Sequence, residues 1–60
     1  MVCEFTVFLE GKRVFEDAVF CRVEAGELLL KDILGQSKRF SRCHVAEVNV
    51  AAEKIVLEKE

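Results

Sequence analysis

The stretch Cys3-Glu4-Phe5-Thr6-Val7-Phe8-Leu9-Glu10-Gly11 decides the fold. Cys3, Phe5, Val7 and Leu9 alternate with Glu4, Thr6, Phe8 and Glu10, which is the period of two of a half-buried strand. Phe8 breaks the pattern by placing an aromatic ring on the otherwise polar face, and it marks a second surface to be buried. Gly11-Lys12-Arg13 then supplies a turn, because glycine takes positive φ at no steric cost.

Downstream the same reading repeats. Val14-Phe15 opens an extended piece, and Glu16-Asp17 interrupts it as a bulge or corner. Residues 18–24 form a strand with Val19, Cys21 and Val23 on one face, closed by Ala25-Gly26. Residues 27–34, with Leu28-Leu29-Leu30, are an apolar run short enough for a strand, and Gly35-Gln36-Ser37 is the next turn. Lys38-Arg39-Phe40 is a short strand, residues 45–50 another, and Ala51-Ala52-Glu53-Lys54 the loop of a final hairpin into residues 55–58. About six short strands with close turns predict an all-β, antiparallel fold, either a small barrel or a strongly bent sheet.

The chain of 60 residues is expected to form a single small β domain. A domain of this size buries only about 60% of the surface of its unfolded chain, and oligomerisation is one of the usual supports. Together with Phe8, this predicts a homodimer. The cysteines Cys3, Cys21 and Cys43 are an odd number without a CxxC pair, so neither a disulfide framework nor a zinc finger is indicated. A net charge of -2 removes the broad attraction on which non-specific nucleic-acid binding depends. No signal peptide pattern opens the chain and no apolar run spans a bilayer; a cytoplasmic protein with reduced thiols and no membrane association is expected.

Cys3 is the leading chemical candidate. Met1-Val2-Cys3 offers a terminal amine, backbone amides and a thiolate, whose fused chelate rings suit planar Ni(II) or Cu(II). If Met1 is trimmed, amine, one amide and thiolate remain, and a second subunit could complete the site. The plainer reading is a buried hydrophobe on the face of Phe5, Val7 and Leu9. Cys21, between Val19 and Val23, reads as core. Cys43 and His44 are adjacent, so on a strand they point to opposite faces and cannot readily share an ion. Lys38, Arg39 and Arg42 with Phe40 between them form the basic cluster, which could grip single-stranded RNA by charge and stacking. A solvated strand edge explains it equally well. No catalytic motif is present, and the chain is not expected to be an enzyme.

Met1-Val2-Cys3-Glu4-Phe5-Thr6-Val7-Phe8-Leu9, the turn Asp32-Ile33-Leu34-Gly35, Val45-Ala46-Glu47-Val48-Asn49-Val50 and Ile55-Val56-Leu57-Glu58 together resemble the CooT-type nickel-binding family over the whole chain. That family opens with Met-Cys, continues in a strand of the form x-x-x-V-x-L and closes with an E-V-D/N hairpin. The resemblance implies an all-β homodimer that binds Ni(II) through the amino-terminal cysteine and carries it for maturation of a nickel enzyme such as carbon monoxide dehydrogenase. Only Cys3 carries over as a ligand, and Val2 stands between it and Met1, lengthening the chelate by one residue. Relatives are often described as predicted RNA-binding proteins, which matches the alternative partner.

Overall fold

The structure is a computed structural model that describes residues 3–60. Six strands form one sheet: β1 (Phe5–Leu9), β2 (Lys12–Glu24), β3 (Glu27–Asp32), β4 (Ser37–Ser41), β5 (Cys43–Asn49) and β6 (Lys54–Lys59), in the order β4-β3-β2-β1-β6-β5. The all-β reading holds.

Two hairpins turn as tightly as the chain permits. Leu9 pairs with Lys12 across Glu10 and Gly11 (φ 53° and 78°), and Glu24 pairs with Glu27 across Ala25 and Gly26 (φ 52° and 80°). Positive φ at both central residues matches the right-handed twist of the flanking strands, so the first turn lies one residue earlier than the Gly11-Lys12-Arg13 expected. The turn after β3 is held by Asp32, whose Oδ1 accepts the N–H groups of Leu34 and Gln36 at 2.9 Å each.

Residues 12–24 form one bent strand rather than two pieces. Its first half pairs with β1 and its second with β3, and the register slips on either side of Ala18, the residue common to both ladders. Glu16-Asp17 is indeed a bulge, with Asp17 at φ 58°. Each extra residue increases bend and twist, and the small side chain of Ala18, 1% exposed, sits inside the corner. The bent sheet encloses Val7, Ala18, Leu28, Leu30, Ile55 and Leu57, with Phe5, Leu9, Val14, Phe15, Phe40 and Val45 packed around them.

Two parts of the expectation need correction. The sheet is not wholly antiparallel, because β1 and β6 run parallel, Val7 opposite Ile55 and Leu9 opposite Leu57. Nor does it close into a barrel: β4 and β5 are the free edges of the sheet. They are also consecutive in the chain, joined through Arg42 alone at φ 58°. A strand cannot lie beside its own continuation, so the chain turns across the gap instead of sealing it. The strongly bent open sheet is the form adopted.

Phe8 is half-buried. Because β1 lies between β2 and β6, both of its edges are occupied, and two first strands cannot pair between subunits.

Candidate functional site

The three thiols occupy three different environments. Cys3 precedes β1 and is exposed. It is therefore not the buried hydrophobe that its alternation with Phe5 and Val7 allowed. Met1 and Val2, which would supply the remaining backbone nitrogens, lie outside the described residues. Among the described residues no group of three or more His, Cys, Asp or Glu side chains is arranged to hold a metal. A metal at Cys3 would then depend on backbone nitrogens or on a second chain.

Cys21 is exposed, contrary to its expected place in the core. It lies opposite Leu30, with Val23 opposite Leu28, so its face is the core-facing one. This half of β2 is nevertheless left uncovered: Val19 is 42% and Val23 60% exposed. Cys21 lines a shallow hollow with Phe5, Ala18, Val19, Phe20 and Ile55. Desolvation there pushes its thiol up from the ordinary value, the opposite of what a nucleophile requires.

Cys43 is buried, and its Sγ donates to the carbonyl of Ser41 at 3.3 Å. The neighbouring His44 is exposed on the other side, with Nε2 3.4 Å from Glu58 Oε1 and Nδ1 3.9 Å from Glu60 Oε2. The strand alternation thus separates thiol from imidazole, as expected, and no nucleophilic pair exists there.

The basic cluster is divided by the same alternation. Leu29 lies opposite Arg39 and Leu30 opposite Lys38, so Lys38 shares the core-facing side with Phe40, its Nζ 5.3 Å from the ring centroid. Arg39 points to the outer side, where Nη1 meets Glu27 Oε1 at 3.3 Å. Arg42 occupies the corner between β4 and β5. Lys38, Arg39, Phe40 and Arg42 therefore do not form one surface.

The register builds a different basic group that contiguous reading missed. Arg22, Leu29 and Arg39 form a row across β2, β3 and β4, and Phe20 and Lys31 lie in the next row. Arg22 and Lys31 both stand over the Phe20 ring, at 5.6 and 5.1 Å. Counting alternation outward from the Ala25-Gly26 turn would have aligned them.

No helix among the described residues is long and apolar enough to cross a membrane. No curated protein matches the chain. The family model described as "CO dehydrogenase accessory protein CooT" matches residues 2–58. The chain is thus a member of the CooT family of CO dehydrogenase accessory proteins.

Proposed function

We propose that this protein is a cytoplasmic Ni(II) carrier serving the maturation of a nickel enzyme such as carbon monoxide dehydrogenase, and that it acts by binding and handing over the ion rather than by catalysis. The observation that carries the reading is the exposed Cys3 thiol immediately before β1 in a chain matched to an accessory-protein family from residue 2 onward. The Cys3 thiolate would bind with backbone nitrogens of Met1, Val2 and Cys3 itself. Such nitrogen and sulfur donors favour a planar d⁸ ion, and an exposed thiol outside the strands permits transfer to a client without unfolding the sheet. Ni(II) here is cargo.

Titration of the purified chain with Ni(II) tests this directly. Thiolate charge-transfer and d–d bands of a planar complex are expected, and they should weaken when an affinity tag precedes Met1, because the tag removes the free amine. A titration without thiolate bands would defeat the reading.

The active form is a homodimer. Support comes from the apolar residues left open on the outer half of β2 and beyond, with Val19, Phe20, Val23, Ile33, Leu34, Val48 and Val50 all exposed, in a chain too small to bury them alone. Sedimentation at tens of micromolar, roughly where modest interfaces are populated, is expected to give the dimer mass; a monomer there would remove the dimer from the proposal.

A further inference from the structure

The two free edges of the sheet are unequally protected. On β5 the register slips between Val45 and Glu47, and such a bulge spoils an edge for further pairing. β4 pairs with β3 without any slip from Ser37 to Ser41. Its other side therefore presents a regular row of backbone N–H and C=O groups, a template for another strand.

The charges that β4 itself carries at this edge are cationic, Lys38 and Arg39, with Glu27 of β3 3.3 Å from Arg39 on the outer face. Residues 33–46 contain Lys38, Arg39 and Arg42 and no Asp or Glu, in a chain whose net charge is -2. Lys38 and Arg39 stand on opposite faces of β4, so a strand laid beside it meets a cation on each side. Behind Arg39 the outer face continues into Arg22 and Lys31, neither of which is ion-paired among the described residues. Ser37 and Ser41 flank Arg39 on that face and are small enough to leave room.

We propose that β4 is a docking edge for an extended acidic peptide segment of a partner protein, which adds to the sheet as a further strand beside Lys38 and Arg39. Backbone pairing supplies the affinity in this mode, and alternate side chains supply selection. Acidic residues at successive positions of the guest would face Arg39 and Lys38 in turn. The same charges exclude a second copy of β4: a symmetric antiparallel pairing centred on Arg39 would set two guanidiniums directly opposite, which is destabilising. This surface is separate from Cys3 and does not depend on nickel.

The test is fluorescence polarisation with a labelled synthetic peptide repeating Glu-Glu-Thr-Thr, which as a strand carries carboxylates on both faces, run against the full chain. Expected are saturable binding that weakens with salt, no binding of the peptide with Lys in place of each Glu, and loss of binding when alternate backbone nitrogens of the acidic peptide are methylated. The double substitution Lys38→Glu and Arg39→Glu should weaken binding about tenfold or more, the scale of losing close charge pairs. Equal binding of the methylated peptide would overturn strand addition, using unaltered protein throughout. Tighter binding of oligouridine than of the acidic peptide at physiological salt would likewise overturn the proposal in favour of nucleic acid.

Discussion

Cys3 and Cys43 are both free thiols, yet the fold gives them opposite fates. Cys43 begins β5 directly after the Arg42 corner, 6% exposed, with its sulfur hydrogen-bonded to Ser41. Cys3 stands before β1, in no strand, and is open to solvent. The residue type is the same; position relative to the sheet decides the chemistry. A sulfur fixed inside the seam between β4 and β5 contributes packing, whereas one beyond the first strand keeps its lone pairs for a ligand. The neighbouring His44 changes nothing for Cys43, because the strand turns it outward.

The largest effect that separates the two thiols is on metal binding. Cys3→Ser is expected to abolish tight Ni(II) binding and to leave the urea midpoint nearly unchanged, since the side chain is exposed. Cys43→Ser should bind Ni(II) as the parent chain does. Calorimetry on both variants checks the contrast, and equal affinity of Cys3→Ser and the parent would end the case for Cys3. Metal binding requires the deprotonated thiol, so the parent's affinity should also rise with pH.

The reverse contrast appears in stability. Cys43→Ser keeps a donor for the Ser41 carbonyl but buries a more polar atom among apolar neighbours, at a cost of about 1–2 kcal/mol. For a chain of this length that is a large share of a total of roughly 3–9 kcal/mol. A lowered urea midpoint with an unchanged slope is the expected readout. No shift would mean that the seam relaxes around the substitution.

Most strands were legible from local signals, such as the alternation in β1 and the Leu28-Leu29-Leu30 run in β3, but β2 read as two pieces because Glu16-Asp17 marks its bulge without showing that the strand continues through it. Pairing between distant strands carries no such local mark. The parallel contact of β1 with β6 joins elements at the two ends of the chain, and nothing in either alternation specifies direction. The open seam was hidden for a related reason. Ser41-Arg42-Cys43 contains no Gly or Pro, so the positive φ of Arg42 has no sequence signature. At the candidate site, Cys3 could be named from its place near the amino terminus, but its exposure could not. Alternation put it with Phe5 and Val7, and only the start of β1 at Phe5 frees it. The grouping of Arg22, Lys31 and Arg39 depends on register, which a contiguous search for basic residues does not see.

Cys21 lies between the two extremes, and the smallest prediction concerns it. Its face is that of Leu30, yet this half of β2 is left uncovered, so it is exposed while its hollow still disfavours the thiolate. Desolvation raises its pKa in the folded chain. The folded state therefore holds this proton more tightly than the unfolded state does. The associated stability is fully present below the unfolded thiol's pKa and declines as pH rises through the folded value. In a chain carrying Cys3→Ser and Cys43→Ser, iodoacetamide should react with Cys21 along a pH profile displaced upward from that of the same chain in urea. Coincident profiles would show that the hollow does not desolvate the sulfur. A subunit packing over Val19 and Val23 would displace the folded profile further at high protein concentration, so the measurement also reads whether this end of β2 is covered.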